Sequence, residues 1–191
     1  FIMKFKSLNK NRFELGAYAV VPFREEDKYR IKEWRNQQMD VLRQKRVLTD
    51  EDQENYYNRF ILPSFSQEEP TIMLFSFLEN EQCIGYGGLT NIDWASKRVE
   101  LSFLVNHQRA ANNDLYLKDF SSFIDLMKKI AFDELNFNRI FTETYDLRPL
   151  HIRILEENGF KLEGRMKEHI LVNGVLTDSL IHGFIKKYYN A

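Results

Sequence analysis

The chain has 191 residues, the length of one ordinary domain spanning 1–191, and 43% of them are apolar, enough for a sizeable core. Its 27 basic and 28 acidic side chains nearly cancel, which argues against nucleic acid as a partner, because phosphate binding needs a concentrated positive field. A lone cysteine, Cys83, excludes an internal disulfide framework, and no run approaches the ~18 apolar residues of a membrane span.

The opening stretch Phe1-Ile2-Met3-Lys4-Phe5-Lys6 lacks the apolar run of a signal peptide, so a cytoplasmic protein with no membrane partner is expected. Residues 15–23 are rich in β-branched and aromatic side chains and predict a first strand ending at Pro22. Glu25-Glu26-Asp27 suits a helix start, and Ile31 and Trp34 share one face of a helix that ends near Asn36. Thr49 with Asp52 forms a capping-box pattern that opens a second helix, carrying Tyr56, Tyr57, Phe60 and Ile61 at helical spacing. The period then changes. Residues 72–78, 82–89 and 99–105 read as three strands, most economically an antiparallel meander. Phe120, Phe123, Ile124, Met127, Ile130, Ala131 and Leu135 form the apolar stripe of a long helix lying on a sheet. Residues 139–145 alternate as a strand, and Pro149 opens a helix that stops at Asn158-Gly159. Asn173-Gly174 joins two closing strands, 160–172 and 175–185. The order β-α-α-β-β-β-α-β-α-β-β predicts an α+β fold: a mixed, mostly antiparallel central sheet of about seven strands with helices on both faces.

Three stretches within this order resemble the GNAT superfamily of N-acetyltransferases, with the likeness covering roughly residues 15–187. Trp34-Arg35-Asn36 at the end of the first helix is similar to the branches that acetylate ribosomal proteins and amino sugars. The resemblance places Trp34, Arg35, Asn36 and Arg43 on the acceptor side, the last within the segment 39–48. Arg98-Val99-Glu100-Leu101-Ser102-Phe103-Leu104-Val105 and the following helix look like the cofactor motif. There the strand backbone, here Phe103, Leu104 and Val105, pairs with the pantetheine arm of acetyl-CoA, and the helix N-terminus receives the pyrophosphate. The usual glycine-bearing loop has no glycine over 107–120. Counting back from the helix end sets the usual Arg near Leu115 and the glycines near Lys118 and Phe120. Phosphate contact then falls to Asn112, Asn113 and Lys118, with Tyr116 and Asp119 beside them. Finally, the stretch 142–160 matches the family's helix ending in Gly159-Phe160, with Arg148 where Asn is usual and His151 where Ser is usual. Lys161-Leu162-Glu163-Gly164-Arg165, Asn173-Gly174 and Asp178-Ser179 continue the likeness, and Asp178 joins the acceptor set.

The family chemistry needs a neutral amine, so a base must remove its proton. Glu100 aligns with a central-strand Glu that does this in part of the superfamily, and strand alternation should point it away from Leu101 and Phe103. His151 is the second candidate base, by virtue of its ordinary imidazole range. The Tyr that protonates the leaving thiolate in many members is Leu155 here, leaving Tyr145 or solvent. His107, His151, His169 and His182 lack metal-ligand spacing, and no metal is expected. The resemblance implies acetyl transfer to a small-molecule amine, such as a nucleotide-linked amino sugar, or to a peptide N-terminus, by a monomer or homodimer. A GNAT-fold binding module without turnover is the reading of a different class.

Overall fold

Two-residue hairpin loops need a residue that tolerates positive φ, and Gly16, at +59°, supplies it at the first turn. The computed structural model describes residues 3–190; Phe1, Ile2 and Ala191 lie outside the described residues. The expected first strand is in fact two, Phe13–Leu15 (β1) and Tyr18–Pro22 (β2), paired Leu15 to Tyr18 across Gly16-Ala17. Alternation alone could not show that break, so Leu15 belongs to the strand before the turn. Helix α1, Lys28–Asn36, follows. Helix α2, Asp50–Tyr56, opens on the Thr49 capping box, with Asp52 N–H donating to Thr49 Oγ1 at 3.1 Å and Thr49 N–H to Asp52 Oδ2 at 2.9 Å. It passes through a π turn into a short α3, Leu62–Ser64.

The meander is β3, Met73–Glu79, β4, Gln82–Asp93, and β5, Arg98–Val105. Two helices then follow in place of a loop: α4, His107–Ala111, and α5, Asn113–Lys128. Strand β6, Arg139–Tyr145, helix α6, Pro149–Glu157, the hairpin of β7, Lys161–Val172, with β8, Val175–Ile185, and a terminal turn α7, Lys186–Tyr189, complete the chain. The sheet has eight strands in the order β1-β2-β3-β4-β5-β6-β8-β7. Every neighbour is antiparallel except β5 and β6. This is the predicted α+β architecture with one strand more.

Aromatic packing fixes α5 on one face. Phe103 stacks on Phe120 at 4.6 Å and meets Phe123 at 5.0 Å, while Phe77 meets Phe123 edge-on. Truncating the fully buried Phe77, Phe120 or Phe123 ring to Ala should cost about 3–5 kcal/mol. On the opposite face Phe23 lies between Tyr57 and Tyr86, and Ile31 and Trp34 of α1 are buried. Among the described residues no helix is long and apolar enough to cross a membrane.

Candidate active site

Parallel strands β5 and β6 pair over only three positions, Arg98 with Arg139, Val99 with Ile140 and Glu100 with Phe141. Beyond Glu100 they splay apart. Asn106 N–H donates to the Ile84 carbonyl on β4, which sets the parity of the ladder. By alternation the N–H and C=O groups of Leu101, Phe103 and Val105 then face the gap. Of these, the Val105 carbonyl accepts from Gln38 Nε2 at 2.8 Å. The opposite wall carries Thr142 and Thr144, whose buried hydroxyls have no hydrogen-bond partner. The wedge opens into a cavity of about 740 Å³ lined by both walls.

Two carboxylates reach into this cavity, one from each strand. Glu100 lies on the face away from Phe103, as alternation requires, and is buried. Its Oε1 accepts from Arg43 Nη2 at 2.8 Å and its Oε2 from Asn91 Nδ2 at 2.5 Å. The same Arg43 nitrogen donates to Glu143 Oε2 at 2.8 Å, while Ser179 Oγ donates to Glu143 Oε1 at 2.8 Å. One cation therefore holds two acids together. Tyr145 also lines the cavity, and burial pushes its phenol above the ordinary range, partly opposed by the Arg43 charge.

On the α5 side, Arg148 Nη2 donates to the Tyr116 hydroxyl at 2.9 Å, and that oxygen lies 2.8 Å from His151 Nδ1. Arginine only donates, so the Tyr116 oxygen accepts from it; the phenol keeps a second lone pair and its own proton for the contact with Nδ1, which fits either imidazole tautomer. Burial, helped by the Arg148 charge, holds His151 well below its usual pKa, and its ring stacks on Phe120 at 4.3 Å. The ring is therefore neutral, buried and bonded to the Tyr116 hydroxyl.

The loop alignment also changes. Leu115, Lys118 and Phe120 stand within α5, not in a loop before it. Asp119 is fully buried, taking Arg109 at 2.6 and 2.7 Å and the Tyr18 hydroxyl at 2.8 Å, so it is a structural anion out of a cofactor's reach. Lys118 Nζ lies over the Tyr18 ring, 5.5 Å from its centroid. Asn112 Oδ1 accepts from the N–H groups of Asp114 and Leu115, closing the helix end that was expected to stay open for phosphate. Asn113 and Tyr116, by contrast, line a cavity of about 390 Å³ with Arg148 and His151, continuous with the wedge through the last two.

Of the acceptor set, Arg35 and Arg43 line the main cavity. Trp34 is a core residue. Asn36 closes the segment 36–48, with Nδ2 donating to the Leu48 carbonyl and Oδ1 accepting from Leu48 N–H and Gln44. Asp178 binds Arg165, Lys167 and the Glu168 N–H at the β7–β8 hairpin, and lies away from these cavities. Leu104 is buried on the Tyr86 face, paired across to Tyr86. Sequence reasoning missed Glu143, Asn91 and Gln38. Glu143 shared the alternation parity of Tyr145, which could have flagged it; Gln38 sits in a segment without periodicity.

An acetyltransferase (GNAT) domain profile matches residues 20–181. Among solved structures, spermidine N-acetyltransferase from Vibrio cholerae, in complex with CoA and spermine, superposes with a TM-score of 0.79 at 17% identity, covering 93% of this chain and all (100%) of that one. A dodecameric structure of the Vibrio cholerae enzyme in an intermediate state gives 0.75 at 18% identity, covering 92% and 97%. At these identities the likeness concerns the fold. With the domain profile running from β2 into β8, this chain belongs to the GNAT family of acetyltransferases.

Proposed function

We propose that the chain transfers an acetyl group from acetyl-CoA to a primary amine of a small molecule, by direct attack in a ternary complex. The observation that carries this reading is the clamp of Glu100 and Glu143 by one Arg43 nitrogen at the mouth of the splayed strands. An acceptor ammonium is a cation of the same kind and takes the place of Arg43 between the acids.

The fit to acetyl-CoA rests on the unpaired β5 edge and the orphaned hydroxyls of Thr142 and Thr144 facing it. Backbone groups of Leu101 and Phe103 would hold the pantetheine arm, and Arg148 with Asn113 would meet the phosphates in the adjoining cavity. Glu100 takes the ammonium proton, freeing the nitrogen lone pair for the thioester carbonyl carbon. The new C–N bond forms as C–S breaks, and a strand N–H receives the charge building on the carbonyl oxygen. The nitrogen sheds its second proton to water as the amide forms, and the thiolate takes a proton from Tyr145 or water. The small-molecule reading also agrees with the polyamine named for the Vibrio cholerae enzyme.

The test is calorimetric titration with acetyl-CoA, followed by thiol release in the presence of a panel of amines and of peptides with free N-termini. Binding with thiol release to small amines supports the proposal. Binding followed by transfer only to peptides replaces the acceptor class, and no binding at millimolar acetyl-CoA removes the proposal.

A further inference from the structure

A second chamber of about 480 Å³ adjoins the first, and Arg35, Tyr56 and Phe60 line both. Arg35 is the unusual group. Its Nε donates to Gln44 Oε1 at 3.1 Å and its Nη1 to the Tyr86 hydroxyl, both neutral acceptors. Among the described residues it has no carboxylate partner. A half-buried guanidinium with no carboxylate partner is free to take an anion from a ligand by charge-assisted hydrogen bonds. The chamber's own carboxylate, Asp52, cannot do so, since Arg46 holds it at 2.6 and 2.7 Å. Gln53 lines the same chamber and is only 4% exposed. Arg59 stands exposed in the same wall.

We infer that the acceptor carries, besides its amine, an anionic group, carboxylate or phosphate, which Arg35 receives with help from Gln53. This deepens, and rests on, the acetyltransferase reading above. The two ends are well separated. Tyr86 pairs with Leu104, four residues along β5 from Glu100 and on the same face, which is about 13 Å of strand. The aromatic walls between, Tyr56, Phe60 and Tyr86, suit an apolar or ring-shaped middle. A polycation would set its far charge against Arg35 and Arg59.

The test uses four acceptors of matched reach: hexylamine, 6-aminohexanoate, 6-aminohexyl phosphate and spermidine. Each is assayed for kcat/KM at saturating acetyl-CoA and titrated calorimetrically into the wild type, Arg35→Gln and Arg35→Lys. The two anionic amines should exceed hexylamine and spermidine by about tenfold or more, the scale of a charge-assisted hydrogen bond. That preference should vanish in Arg35→Gln and survive in part in Arg35→Lys; the better anion identifies the group. Preference for hexylamine or spermidine, or an anion preference untouched by Arg35→Gln, overturns the inference while leaving an amine acetyltransferase. Arg35-dependent binding of 6-aminohexyl phosphate without turnover of any amine keeps the inference and removes the proposed function. Equal or absent binding of the anionic compounds overturns it whatever the turnover.

Discussion

Arg43 Nη2 lies 2.8 Å from Glu100 Oε1, and the two partners differ sharply in exposure: 54% of the arginine side chain is accessible against 9% of the glutamate's. The carboxylate is fixed by its strand and by Asn91, whereas the cation arrives from a surface segment without regular structure and can be exchanged. Glu100→Gln removes the proton acceptor and keeps the shape. It should lower kcat by about 10²–10⁴-fold, with acetyl-CoA affinity unchanged in calorimetry. Glu143→Gln should act differently, raising the acceptor KM more than it lowers kcat. A Glu100→Gln enzyme with near-normal kcat would remove Glu100 as the base.

The burial of His151 as a neutral imidazole has a consequence for stability. Its folded pKa is depressed by burial, so between the folded and unfolded values the unfolded chain binds the extra proton. The stabilisation is therefore fully present above the unfolded value of about 6.5 and is lost as pH falls below it. Wild-type Tm should decline from pH 7 toward pH 5, and His151→Phe should flatten that part of the curve. With Glu100 as the base, the acid limb of the kcat/KM profile should survive in His151→Asn; its disappearance would assign the role of base to His151.

Tyr145 is held protonated by burial, above the ordinary phenol value of about 10. It can donate a proton across the whole neutral range, and no alkaline loss of activity from this group should begin below that value. Tyr145→Phe should lower kcat by about 100-fold if the phenol protonates the thiolate. Equal rates for the two proteins would assign that proton to water.

Asp119 anchors α4 to α5 by accepting two bonds from Arg109 in a fully buried position. Asp119→Ala leaves the Arg109 charge with Glu79 alone, and urea denaturation should show a loss of about 3–5 kcal/mol. Asn112→Ala uncaps α5 and should cost about 1 kcal/mol. Acetyl-CoA affinity should change little in Asn112→Ala, because the amides that Asn112 satisfies are turned to its own side chain.

Much of this architecture is legible in the residues because local rules and tertiary structure agree. Thr49 and Asp52 make the capping box that their spacing implies, Asn173-Gly174 turns the closing hairpin, and the stripe from Phe120 to Leu135 lies on the sheet. The glycine-free stretch is where reading failed. Residues 107–111 carry no apolar stripe, and the caps, Asn106 accepting from the Arg109 N–H at α4 and Asn112 at α5, are recognised only with the helix ends known. At the site, Glu100 was placed by alternation, but Trp34, Arg35 and Asn36 look equivalent in sequence. Only the structure separates them, sending Trp34 to the core, Asn36 to a loop closure and Arg35 to the cavity.

The three-position contact between β5 and β6 divides the sheet mechanically. Strands β1–β5 form one plate and β6–β8 another, paired only along a narrow seam near Glu100 and otherwise held together by side chains, as where α6 meets α5 at His151 and Phe120. A ligand bonded to both walls of the gap acts as a brace between the plates. Stiffness of the whole molecule should then depend on occupancy: amide exchange at Leu101 and Phe103 should slow when acetyl-CoA is bound, and so should exchange across β6 on the far plate.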